Sequence, residues 1–334
     1  MVMAQSLFQL LKARHPTWSL DVIAPNVTSV LLARMPEVAD AIPLVLAHGE
    51  LGLRKRLALG WNLRSRHYEQ AFILPRSFKA ALPAWTSGAP RRTGFLGEAR
   101  LGLINDIRRE PQGHKLKTVE RFLLLGIEPH EALPKVIPPR LLTDADQGRA
   151  ILKRLGVSPQ GPILALAPGA EYGPAKRWPA RHFAALANTY QNRGWQVWLL
   201  GGPRDQEMAR AIQVLCPKSC IDLTGRTSLL EAVDLLGLAT AVVTNDSGLM
   251  HVAASLGAPL VAIFGSSDLS HTPPLDERAI ALSLHLSCSP CFARTCPLGH
   301  MNCLEKLMPE EVEQTLGEAL LRYPDQICRA SPWL

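Results

Sequence analysis

Apolar and polar residues alternate along the chain in blocks of two lengths. Short apolar runs that end in Gly, Pro or Ser read as buried strands. Longer stretches with apolar residues three and four apart read as helices. In the second half the strands are "PILALAPG", "QVWLLGG", "SCIDLTG", "AVVTNDSG" and "PLVAIFGSS". Between them lie helices such as "PARHFAALANTYQNRG" and "RDQEMARAIQVL". The segment "SLLEAVDLLGLA" opens with a capping box, Ser228 to Glu231. The first half repeats the pattern less sharply, with strands "SLDVIAP", "ADAIPLV", "QAFILP" and "RRTGFL". Uniformly apolar strands that alternate with helices indicate parallel sheets covered on both faces.

The segment "HEALPKVIPPRLL" carries Pro134, Pro138 and Pro139. It cannot be a helix interior or a central strand, so it is the expected linker. A chain of 334 residues is expected to build two cores. The predicted fold class is therefore α/β, with two doubly wound domains facing each other across a cleft. The expected domains are residues 1–140 and 141–325, followed by a tail at 326–334. Ligands of such sheets bind outside the carboxyl ends of the strands. The opening, "MVMAQSLFQLLKARHP", has Met3, Leu7, Leu10 and Leu11 on one face and predicts an amphipathic helix. A doubly wound domain is expected to open on a strand instead.

Composition narrows the class. With 47% hydrophobic and 19% charged residues the chain is a packed globular protein. No apolar run reaches the roughly 20 residues that span a bilayer. Gln5, Lys12 and Arg14 interrupt any signal-like start. The seven cysteines are accordingly expected to be reduced and cytoplasmic. Residues 1–150 hold 21 Lys and Arg against 13 Asp and Glu, and the remainder holds 15 against 16. A basic first half either faces an anionic partner (nucleic acid, a lipid surface, a phosphorylated substrate) or serves solubility alone. No nucleic-acid recognition motif or interleaved aromatic pattern accompanies it, so nucleic acid is not the expected partner.

Two loops carry the candidate chemistry. In "AVVTNDSGLMHVAASLGAP" a strand stops at Asp246-Ser247-Gly248 just where a helix begins. That junction puts free backbone N–H groups and the positive end of a helix dipole at the sheet edge, which suits a phosphate. Gly248 lets a ligand approach the backbone, Ser247 offers a hydroxyl, and His251 lies one turn on. The same residues also suit an ordinary capped helix start. The second loop, "LAPGAEYGPAKRWP", also follows a strand and brings Lys176 and Arg177 to the same edge. Neither a Walker A pattern nor G-x-G-x-x-G occurs, which argues against a P-loop hydrolase and a conventional dinucleotide oxidoreductase. Cys288, Cys291, Cys296 and Cys303 follow C-x2-C-x4-C-x6-C beside His300. Only the first spacing suits a zinc knuckle, so packed thiols are expected before a structural zinc. His48, His67, His114 and His130 fall in no pattern.

The wording "APGAEYGPAKRWP", "TNDSGLMHVAASLGAP", "CSPCFARTCPLGHMNC" and "LPRSFKAAL" resembles glycosyltransferase family 9, the ADP-heptose:lipopolysaccharide heptosyltransferases. It is most similar to the members that add the second heptose. The resemblance covers almost the whole chain and implies a GT-B fold. It implies inverting transfer of heptose from ADP-L-glycero-D-manno-heptose to the first heptose of the lipopolysaccharide inner core, with no metal or other cofactor. By it, Lys176 would neutralise the departing diphosphate, over a floor of Asp246, Ser247, Gly248 and His251. Gly169 and Ala170 would form the first donor loop, Thr227 would meet the base or ribose, and Asp205 a ribose hydroxyl. Lys176 and Asp246 are the expected catalytic pair. Arg76 and Lys79 are the expected acceptor contacts, for Kdo carboxylates and lipid A phosphates of Kdo2-lipid A bearing the first heptose. The expected location is cytoplasmic, peripheral to the anionic inner face of the inner membrane. Another GT-B enzyme, an epimerase or the first-heptose transferase, is the alternative, and a basic nucleic-acid-binding protein is the less favoured one. Members of the family open with a strand and a Gly-Asp loop whose Asp is the expected general base. Residue 1 here matches a position just past that loop, for which a mis-set start or a trimmed sequence is the expected reason before a genuine pseudo-enzyme; the chain as numbered is expected to bind ADP and transfer poorly.

Overall fold

The computed structural model describes residues 1–47, 49–111 and 115–322, so the expected tail at 326–334 and His48 and His114 lie outside it. The chain forms two compact units, one built on Met3–Ile137 and one from Pro138 onward.

In chain order the first unit contains α1 (Gln5–Arg14), β1 (Asp21–Pro25), a single turn α2 (Asn26–Ser29), β2 (Asp40–Leu44), α3 (Leu53–Asn62) and β3 (Gln70–Ile73). There follow α4 (Phe78–Thr86), β4 (Arg91–Phe95), β5 (Asp106–Arg108) and α5 (Thr118–Leu125). Helix α1 buries Leu7, Phe8, Leu10 and Leu11, as the spacing predicts, and ends on Lys12 and Arg14, which suit its negative end. Leu10 packs on Leu123 and Ile127. The five described strands do not make one sheet. β1 and β2 pair in parallel, and β3, β4 and β5 form a separate parallel sheet. Among the described residues, β1 and β3 each carry a partner on one side only. Val22, Ile23, Ala71 and Phe72 are consequently only half-buried. The edges of β1 and β3, with Leu7, Leu11 and Pro83, line a cavity of about 1070 Å³. Strand β5 was not legible as an apolar run. Two of its three residues are charged, and Arg108 is buried because Asp106 at 3.1 Å and Glu128 at 3.6 Å pair with it.

No helix or strand lies between Leu125 and Ala145, where the prolines fall. The second unit then runs α6 (Ala145–Leu155), β6 (Ile163–Ala167), α7 (Ala180–Asn192), β7 (Gln196–Leu199), α8 (Gln206–Val214) and β8 (Ile221–Asp222). It continues with α9 (Leu229–Gly237), β9 (Ala241–Asn245), α10 (Gly248–Leu256), β10 (Leu260–Ile263), β11 (Ala279–Leu282), α11 (Asn302–Glu305) and α12 (Pro309–Arg322). The six described strands form one parallel sheet in the order β11-β10-β9-β6-β7-β8. β6, β9 and β10 are buried throughout. β11 is an edge strand whose four residues are only half-buried, although all four are apolar. The predicted capping box starts α9: Glu231 N–H donates to Ser228 Oγ at 3.3 Å, and Ser228 N–H to Glu231 Oε2 at 2.8 Å. The order of the strands reverses between β6 and β9. A doubly wound sheet opens its ligand crevice at that place, beyond the carboxyl ends of those two strands. No described helix is long and apolar enough to cross a membrane.

Candidate active site

The two loops singled out in the sequence follow β6 and β9, the strands that flank the switch point. Adjacency comes from the ladder that pairs Leu164–Ala167 with Ala241–Thr244. One side chain then ties the loops together. Asn245, fully buried at the end of β9, accepts from Trp178 N–H at 3.0 Å and donates to the Pro168 carbonyl at 2.7 Å. Its amide thus clamps both ends of the segment carrying Lys176. Trp178, also fully buried, anchors the far end by donating Nε1–H to the Leu307 carbonyl at 2.9 Å.

Held this way, Lys176 Nζ donates to Asp246 Oδ2 at 2.5 Å. Ser267, just past β10, donates its hydroxyl to the same oxygen at 2.5 Å. Asp246 is almost wholly buried, while the Lys176 side chain keeps 18% of its surface open. The carboxylate therefore orients the ammonium and leaves it reachable. Ser247 begins α10 without a side-chain cap, so the first N–H groups of that helix are not taken by its hydroxyl. A side chain added at Gly248 would meet nothing within 4 Å, so the space beside the helix start is open. Burial pushes the His251 imidazole down to about 4, against the pull of Asp246 and with the push of Lys176. His251 is therefore neutral near pH 7, a hydrogen-bonding group and not a third charge.

The other expected donor residues gather along the same edge. Gly169 and Ala170 lead out of β6, and Ala170 accepts from Arg177 Nε–H at 3.2 Å. Asp205 lies against them: a side chain at Gly169 would come within 2.3 Å of its Oδ1. Its carboxylate accepts from Gly202 N–H at 2.8 Å, so it also shapes its own turn. Thr227 is half-buried between β8 and α9. Its loop is held to the Asp205 turn by Gly225 N–H on the Gly201 carbonyl at 2.9 Å. Arg76 and Lys79 belong to the first unit. Arg76 follows β3 and pairs with Glu110, and Lys79 on α4 lines the first unit's cavity.

Asn245, Ser267 and Tyr172 were not singled out from the sequence. Asn245 had a signal, a polar residue closing an otherwise apolar buried strand. Ser267 had only its place after a strand, and Tyr172 none. Cys288, Cys291, Cys296, Cys303 and His300 surround a small cavity of about 20 Å³. Burial pushes the Cys303 thiol up, and the three other cysteines add to it. No group of three or more His, Cys, Asp or Glu among the described residues is placed to hold a metal.

Relatives carry the same whole-chain pattern. Glycosyltransferase family 9 (heptosyltransferase) matches residues 56–302. Lipopolysaccharide heptosyltransferase 2 of Escherichia coli (strain K12) is 39% identical over 332 residues, 96% of this chain and 95% of that protein. Lipooligosaccharide heptosyltransferase 2 of Haemophilus influenzae is 40% identical over 297 residues, 85% of each. The solved E. coli ADP-heptose lps heptosyltransferase II aligns with a TM-score of 0.86 at 37% identity, over 96% of this chain and 95% of that one. The parallel α/β units are thus of the GT-B type, and the chain belongs to glycosyltransferase family 9, the heptosyltransferases.

Proposed function

We propose that the chain transfers heptose from ADP-L-glycero-D-manno-heptose to the first heptose of the lipopolysaccharide inner core, with inversion. The observation that carries this reading is the Lys176–Asp246 pair at the switch point, beside the open start of α10. In an inverting transfer the sugar–phosphate bond breaks while negative charge grows on the departing diphosphate. Interactions that strengthen as that charge grows lower the barrier, and fixed groups do so without reorganisation. Lys176 supplies the positive charge, Asp246 aims it, and the N–H groups of Ser247 and Gly248 add fixed dipoles. Gly169, Ala170, Thr227 and Asp205 line the edge where a ribose and base would extend. Arg76 and Lys79 are proposed contacts for the anionic groups of Kdo2-lipid A, and the basic first half for the anionic inner face of the inner membrane, from the cytoplasm.

Titration of ADP, UDP and GDP tests the donor side, with Lys176→Ala and Asp246→Ala alongside. Tightest binding of ADP, weakened by both substitutions, is expected. ADP affinity indifferent to Lys176→Ala would overturn the assignment. For the acceptor side, mass spectrometry should show one heptose added to a mono-heptosylated Kdo2-lipid A. Release of free sugar isomers with no glycolipid extension would overturn the transferase reading.

A further inference from the structure

We infer that Arg294 is a second cation of the donor site, facing the diphosphate, and that the cysteine-rich segment 288–303 serves to hold it there. The inference rests on the donor reading above. It begins with charge. Lys176 is already paired with Asp246, so part of the charge it brings to an incoming diphosphate is offset in advance. Complementarity to a diphosphate calls for a cation that is not neutralised in advance. Arg294 is such a cation: it is exposed and makes no ion pair among the described residues.

Its position is tied to Lys176 from two sides. The Tyr172 ring carries both cations, with Lys176 Nζ 5.2 Å and the Arg294 guanidinium carbon 5.1 Å from its centroid. The backbones are also joined, because the Arg294 carbonyl accepts from Ala175 N–H at 3.0 Å, one residue before Lys176. The Tyr172 hydroxyl donates to the Phe292 carbonyl at 2.6 Å, and Phe292 N–H donates to the Ser266 carbonyl at 2.7 Å. Gly173 lies so close that a side chain there would come within 2.4 Å of the Arg294 carbonyl oxygen. The loop after β6, the loop after β10 and the segment between Cys291 and Cys296 are therefore one braced assembly. A guanidinium presents paired N–H groups that match two phosphate oxygens, which a lysine cannot do.

Calorimetric titration of the full chain with ADP and with AMP tests this. Hydrogen bonds to charged groups set the scale: Arg294→Gln should weaken ADP about tenfold or more while changing AMP by less than about threefold. Arg294→Lys should recover part of the loss, and melting temperatures should stay close to wild type. ADP affinity of Arg294→Gln within twofold of wild type, or equal losses for ADP and AMP, would overturn the inference. If Lys176→Ala weakens ADP and Arg294→Gln does not, the donor reading stands and this inference alone fails. Failure of the wild-type chain to bind ADP would overturn both.

Discussion

Asn245 offers the sharpest test of how the site is built. Asn245→Ala deletes an acceptor for Trp178 N–H at 3.0 Å and a donor to the Pro168 carbonyl at 2.7 Å. Asn245, Trp178 and Pro168 are all buried, so water does not replace the lost partners. Each buried group left unpaired costs about 1–3 kcal/mol. With two such groups and some relaxation of the loop, about 2–4 kcal/mol of destabilisation is expected, a large part of a typical total of about 5–15 kcal/mol. Should the loop detach before the core yields, the loss would appear in ADP affinity, because Lys176 would leave Asp246. Asn245→Asp separates the two bonds: it keeps an acceptor for Trp178 and loses the donor to Pro168. Urea unfolding and ADP titration of both variants measure the outcome. An Asn245→Ala protein with unchanged unfolding midpoint and unchanged ADP affinity would refute the clamp.

Three further outcomes are expected. Because burial lowers His251 from 6.5 to about 4, the unfolded chain binds more protons than the native one between those values. Stability should therefore fall as pH drops from about 6.5 towards 4, and His251→Gln should flatten that slope in urea unfolding at pH 7 and pH 5. Gly173→Ala should cost more ADP affinity than Gly169→Ala, since the first meets the Arg294 backbone at 2.4 Å and the second only a carboxylate tip, Asp205, at 2.3 Å. Equal losses in the same titration would contradict the ordering. Ser228→Ala should remove about 1 kcal/mol by opening the α9 capping box, read as a shift in thermal midpoint.

What the sequence displayed and what it withheld have separate causes. Strands β6, β7, β9 and β10 were legible because a strand covered on both faces must be apolar throughout, and such runs stand out. β8 falls within the predicted strand "SCIDLTG", although only Ile221 and Asp222 pair. β5 gives no apolar run because two of its three residues are charged and satisfied by ion pairing, whereas β11 is an apolar run, Ala-Ile-Ala-Leu, that is not among the strands predicted above. β1 and β3 are as apolar as β7, and their residues stay half-buried because each has a strand partner on one side only among the described residues and borders the cavity.

The site was legible in parts and not as a whole, for a reason general to parallel sheets. A loop that follows a strand announces itself by Gly, Pro and a charge, and so Lys176 and Asp246 could each be named. Their placement at one edge was expected, but their direct contact depends on which strands are neighbours, and that is not written in chain order. β6 and β9 lie side by side only because the chain first winds outward through β7 and β8 and then returns. Residues whose work is to join the loops, such as Asn245, Ser267 and Tyr172, gain meaning only after that return. Their side chains reach residues 67 to 120 positions away along the chain or bind a partner loop's carboxylate, as Asn245 to Trp178, Tyr172 to Phe292 and Ser267 to Asp246 show. A substitution that breaks one of these joins should therefore disturb Lys176 without touching it, which is what the Asn245 variants measure.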